Sequence, residues 1–285
     1  MKRKKGALAS SASAFLSAFV RRVRANRLCF AVYALMGAMT AAVIVMTFID
    51  GQYESTFTAV LSLFLFLLPT LVSEGLRIKL PEALEIIAVL FVFCANILGE
   101  IFSFYTLLPF WDDMLHYTSG FIFAAFGFSL VEIFNRNVRF DFHLSPIFVA
   151  TVALCFAMTV GVVWEMFEFG SDLLLGTDMQ KDRIVGAIHS ALLNPEGQTP
   201  VEIVGITETF VAGSGGETVR IEGYLDVGLW DTMKDLFVDF LGAFLFCSIG
   251  YFYLSRSSNA RLVRKLIPRA VGCVEKEEER TDGGE

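Results

Sequence analysis

Histidine is nearly absent from this 285-residue chain, with three residues, and proline occurs only seven times. The five cysteines (Cys29, Cys94, Cys155, Cys247, Cys273) form no CxxC pair, and four lie inside apolar runs. They read as small packing residues, neither a disulfide framework nor a thiolate metal site. No glycine-rich loop opens a helix, so Gly120, Gly127, Gly161 and Gly242 read as points of close helix approach rather than phosphate binders. No basic stripe is present, which removes nucleic acid from the partners. Apolar residues are what the chain has in abundance: 55% are hydrophobic and 29 are phenylalanine, with mean hydropathy +0.60. That is too apolar for a soluble domain of this size and indicates a polytopic membrane protein.

Runs long enough to cross a bilayer, roughly 20 residues each, cover Leu28–Ile49, Thr56–Ser73, Ala83–Phe104, Met114–Phe134, Pro146–Phe169 and Thr232–Leu254. In lipid the backbone must satisfy its own hydrogen bonds, so each run is expected as a helix, giving an all-α six-helix transmembrane domain over 28–254. Lysine and arginine gather in 1–27, 74–82, 135–145 and 255–285, whereas 50–55 and 105–111 carry none. The positive-inside rule then places both termini in the cytoplasm of a bacterial cell. Arg21, Arg22, Arg24 and Arg27 interrupt the mildly apolar start, so 1–27 reads as a basic amphipathic lead-in rather than a signal peptide. The glutamate-rich tail, 255–285, is expected to be partly disordered. Segment 170–230 becomes a small extracytoplasmic cap between helices five and six. It is expected to hold a short helix over Ile184–Leu193 and a hairpin pairing 201–211 with 217–224 around Ala212-Gly213-Ser214-Gly215-Gly216.

This topology gathers acids at one level. Asp112, Asp113 and His116 start helix four, Glu165, Glu168 and Asp172 end helix five, and Asp231, Asp235 and Asp239 start helix six. Glu100 belongs to the same layer. Spacings of i,i+3, i,i+4 and i,i+7 put each set on one helix face. Asp112, Asp113 and Asp231 suit a helix N-terminus as caps, but Asp235 and Asp239 lie deeper, and Glu165 and Glu168 sit at a C-terminus, where the dipole repels them. Burying one such side chain in a bilayer costs about 3 kcal/mol. Lys234, Lys181 and Arg183 are too few to neutralise them all. Three readings follow: a bound divalent metal, a protonated or water-filled polar network, and scattered caps. Mixed oxygen and imidazole donors suit Zn, Mn, Fe or Mg. Elsewhere, His143 and His189 read as surface residues, Glu132 and Arg136 as an i,i+4 ion pair, and Glu82 and Glu85 as side chains that snorkel to water.

The blocks WDDMLHYTSG (111–120), WEMFEFGSD (164–172), GTDMQKD (176–182) and GLWDTMKDLFVDFLGA (228–243) resemble the signature blocks of YjdF-type bacterial multi-pass inner-membrane proteins, a family without an established activity. The resemblance implies that Asp112, Asp113, His116, Glu165, Glu168, Asp172, Asp178, Asp231, Asp235 and Asp239 are motif positions. A looser similarity is to VanZ-like membrane proteins. The function these residues point to is a membrane-embedded metal-dependent enzyme on a lipid or cell-envelope substrate, with Asp112, Asp113, His116, Glu165, Glu168, Asp172, Asp231, Asp235 and Asp239 as candidate ligands and His116 or Glu168 as candidate base. The alternatives are a cation- or proton-coupled transporter, which the apolar inner halves of helices four to six disfavour, and a non-catalytic membrane scaffold.

Overall fold

The computed structural model describes residues 17, 19–20, 26–76, 78–135, 144–197, 199–255 and 269–270. The lead-in to residue 16, most of the tail, and Arg136, Arg139 and His143 lie outside them, as does the side chain of Glu132. Among the described residues six helices are long and apolar enough to cross a membrane: Arg27–Ile49, Tyr53–Gly75, Glu82–Ile101, Trp111–Val131, Pro146–Leu175 and Leu229–Ser255. All six apolar runs are therefore helical, as hydropathy requires.

In chain order the helices are α1 (Arg27–Ile49), α2 (Tyr53–Leu65), α3 (Leu68–Leu76), α4 (Glu82–Val92), α5 (Phe104–Leu107), α6 (Trp111–Asn135), α7 (Pro146–Leu175) and α8 (Leu229–Ser255). α2 and α3 are one span broken ahead of Pro69, which has no N–H to donate and whose ring crowds the carbonyl four residues back. α4 runs on as a π-helix over Phe93–Ile101. Ser103, with φ at 58°, then turns the chain through the left-handed region into α5.

The chain divides into two compact units, residues 1–159 with 238–285, and residues 160–237, so the long helices α7 and α8 each contribute to both. The first unit has two apolar cores. One gathers Leu84, Ile122, Ala125, Phe128, Ala153 and Phe246, and the other Tyr33, Met36, Ala59, Val89, Phe93 and Ile97. A two-residue ladder joins β1 (Ile78–Lys79) to β8 (Arg269–Ala270). Glu85, expected to snorkel, is instead 3% exposed, with the Tyr33 hydroxyl donating to it at 3.1 Å.

The second unit carries the segment between α7 and α8. β2 (Arg183–Val185) pairs with β7 (Tyr224–Asp226), β3 (Ala187–Ser190) with β4 (Val201–Val204), and β5 (Thr209–Ala212) with β6 (Thr218–Ile221), all antiparallel. It is thus a two-stranded stem bearing two hairpin arms. The short helix expected over Ile184–Leu193 shrinks to one 3-10 turn, Ala191–Leu193, started by the Ser190 hydroxyl accepting from Leu192 N. The β-branched residues before it pair as strands. The strand expected over 201–211 is cut at Gly205, whose φ of 68° ends β4 and frees β5 to pair with β6. His189 lies on an arm's surface opposite Glu202, 3.0 Å from its carboxylate.

Candidate functional site

His116 sits in the second turn of α6, with Asp112 one turn before it and Ser119 one turn after. The start of α6 is held from two sides: the Trp111 indole donates to the Cys94 carbonyl of the π-helix at 3.3 Å, and its ring meets Phe104 edge-on at 4.8 Å. Gly99 has no side chain because a Cβ there would lie 2.4 Å from the Tyr105 ring. The break in ordinary helix geometry at 93–101 therefore buttresses the turn that presents Asp112 and His116.

Across from this turn stands Asp239 of α8. The two helices meet backbone to backbone: a Cβ on Gly120 would lie 2.1 Å from the Asp239 carbonyl, and one on Gly242 would lie 1.9 Å from the Tyr117 carbonyl. Only glycine permits that approach. It brings Asp239 Oδ2 to 3.4 Å from His116 Nδ1, while Ser119 Oγ donates to Asp239 Oδ1 at 2.6 Å. On the other edge of the ring, Nε2 lies 3.8 Å from Asp112 Oδ1. His116 is 7% exposed and Asp239 2%. An imidazole is thus held between two carboxylates, one of them oriented by a serine that sequence reasoning had not singled out. Its signal was present: Ser119 is i+3 from His116, on the same face.

Asp113 shares the first turn of α6 and is part-buried. Glu100, expected in the same layer, is exposed on the π-helix.

In the second unit the acids have different surroundings. Asp172 was a candidate ligand, but both its oxygens are engaged by the loop that follows: Oδ1 accepts from Thr177 Oγ1 at 2.7 Å and Met179 N at 2.6 Å, and Oδ2 from Gln180 N at 2.8 Å. The next N–H, that of Lys181, donates to Asp231 Oδ2 at 2.8 Å. Three consecutive backbone N–H groups are therefore captured by carboxylates of α7 and α8. The Gln180 side chain adds a bond to Thr232 and packs over Gly228. Asp231 and Asp235 share the Lys234 ammonium, at 3.8 and 3.9 Å. Glu165 and Glu168 are 4% and 8% exposed on α7, and Asp178 pairs with Lys181 at the surface. Outside the spans, partial desolvation and then the carboxylates of Asp178, Asp172 and Asp226 push the Asp182 carboxyl above its ordinary range, against the pull of Lys181.

Six apolar spans with a buried Asp–His–Asp arrangement between two of them define a polytopic membrane protein with a polar site inside its helices. The chain belongs to the family described as Predicted membrane protein (DUF2238), whose model matches residues 31–256. It is also similar to an uncharacterized protein of Thermotoga maritima, 28% identical over 99 residues, which make up 34% of this chain and 48% of that relative. The chain thus spans about half the length of the curated relative it matches. No solved structure matches.

Proposed function

We propose that this protein is a metal-dependent enzyme of the bacterial cell membrane acting on a lipid or cell-envelope substrate. The observation that carries the reading is His116, whose two ring nitrogens each face a carboxylate inside a membrane span. In metal sites a ligating histidine gives one nitrogen to the ion and the other to a carboxylate that fixes its tautomer. Asp239, steadied by Ser119, fits the second role, leaving Nε2 and the Asp112 carboxylate as the ligand pair. One imidazole with oxygen donors suits Zn, Mn, Fe or Mg. Such an ion would polarise a substrate oxygen or a bound water.

His116 lies about 8 Å and Asp239 about 15 Å along the axis from the starts of their helices. That depth suits a group carried at the boundary between lipid headgroups and acyl chains. The gathering of lysine and arginine in 1–27 and 255–285 supports cytoplasmic termini. Asp112, His116 and Ser119 fall within the block 111–120, and Asp239 within 228–243.

A second reading, a proton- or cation-coupled transporter, draws on Glu85, a buried carboxylate at the opposite end of the third span. Elemental analysis separates the two. The enzyme reading expects about one divalent ion per purified chain, lost in His116→Ala and Asp112→Asn. A wild-type chain free of divalent metal overturns it. Cation uptake by proteoliposomes that Glu85→Gln abolishes would favour transport.

A further inference from the structure

The segment between α7 and α8 poses a problem that the proposed site does not answer. Among the described residues its β-structure consists of three separate two-stranded ladders, with no third strand on any of them. The β5–β6 arm is the most exposed: Phe210 is 60%, Val211 51% and Val219 59% exposed. In the register Val211 faces Val219 and Phe210 faces Arg220, so large apolar groups stand on both faces of the hairpin. A lone two-stranded hairpin is marginally stable in water. An arm apolar on both sides and carrying open edges is built to be covered.

The edge that offers itself is that of β5. The Gly213 N–H bonds the Glu217 carbonyl. Alternation along an antiparallel pair then puts 211 with 219 and 209 with 221 in hydrogen-bonded positions. The N–H and C=O groups of Phe210 and Ala212 consequently point away from β6. Natural edge strands are normally blunted by lysine, proline or an inward-pointing charge. β5 reads Thr-Phe-Val-Ala and has none of these, whereas β6 carries Arg220, paired with Glu208 at 2.6 Å.

Charge selects the occupant. Residues 176–228 contain eight carboxylates (Asp178, Asp182, Glu196, Glu202, Glu208, Glu217, Glu222, Asp226) against Lys181, Arg183 and Arg220. A second copy would bring the same excess of negative charge to the contact, and an anionic headgroup surface would be repelled in the same way. We propose that β5 is a docking edge for an extended, basic polypeptide strand of another protein. That strand would add to the arm by main-chain hydrogen bonds, with alternate apolar side chains against Phe210 and Val211 and lysines or arginines toward the surrounding acids.

The test uses the full chain in phosphatidylcholine nanodiscs and a fluorescent peptide of alternating lysine and valine, read by anisotropy. Saturable binding is expected, weakened several-fold when salt rises from about 50 to about 500 mM. At least tenfold loss is expected for a peptide N-methylated at alternate amides, for Ala212→Pro, and for Glu217→Lys with Glu222→Lys. The Ala212 N–H points outward, so proline there removes the docking donor and leaves the β5–β6 ladder in place. Unchanged hydrogen exchange at Val211 and Val219 verifies this. Absence of saturable binding overturns the proposal, and so does equal binding of the N-methylated peptide, which would mean charge alone. A photoreactive p-benzoylphenylalanine at position 210 should label the peptide. Labelling of phospholipid or of a second copy instead overturns the proposal in favour of those occupants.

Discussion

Carboxylates of the same kind, set at the same helical spacings, are treated in two ways in this molecule. In the unit formed by 160–237, Asp172 and Asp231 spend their oxygens on three successive backbone N–H groups, and Lys234 stands between Asp231 and Asp235. In the other unit Asp112 and Asp239 flank a histidine, with one serine hydroxyl as the added donor. Fixed backbone donors account for Asp172 and Asp231 as architecture. The second set surrounds a group that can exchange a proton or bind an ion, and a site needs that property. Spacing alone did not distinguish them, because i,i+4 is the repeat of both.

The sharpest way to break the contrast is to separate the helices that create the second set. Gly242→Val places a side chain where the Tyr117 carbonyl already lies. It should cost about 3 kcal/mol or more, seen as loss of the monodisperse peak in size-exclusion chromatography, and Gly120→Val should match it. Next comes the architectural set. Asp172→Ala removes three accepted hydrogen bonds and should lower stability by about 2–3 kcal/mol. Faster amide exchange at 179–181 is expected with metal content unchanged, and a fall in bound metal would show that Asp172 is not purely structural. Ser119→Ala leaves both proposed ligands in place but loosens Asp239, so metal affinity should fall about tenfold, with partial rescue by Ser119→Thr in a chelator titration.

The smallest effect concerns Asp182. Its carboxyl is raised by burial and by neighbouring carboxylates, so ionising it disfavours the folded state. The associated stability is fully present below its unfolded value, near 3.9, and is lost as pH rises through the higher folded value. Asp182→Asn should therefore melt slightly higher than wild type at neutral pH, by no more than about 0.5 kcal/mol for a surface position. The difference should vanish in a melt near pH 3.

All six spans were legible in the sequence because a membrane helix needs only length and hydropathy to declare itself. The π-helix at 93–101 was not, since no residue type marks it; the contacts it makes, Gly99 against Tyr105 and Cys94 with Trp111, join residues that the sequence pattern does not pair. In the segment after α7, Ile184–Leu193 looked helical by its apolar run, but Ile184, Val185 and Ile188 found strand partners distant in sequence. Long-range pairing of that kind overrides local pattern. At the site, the shared layer of His116 and Asp239 followed from topology. The loop bonds of Asp172 did not, because a carboxylate that accepts from a loop backbone looks in sequence like one that awaits a ligand. Glu85 misled for a similar reason, its partner Tyr33 being two spans away.

Main chain rests on main chain where Gly120 and Gly242 meet, so at that level α6 and α8 behave as one jaw of a vice, already closed to its stop. Neither helix can roll or slip past the other without driving backbone into backbone. A guest for His116 therefore meets a seam whose width at that level is already set by two missing side chains.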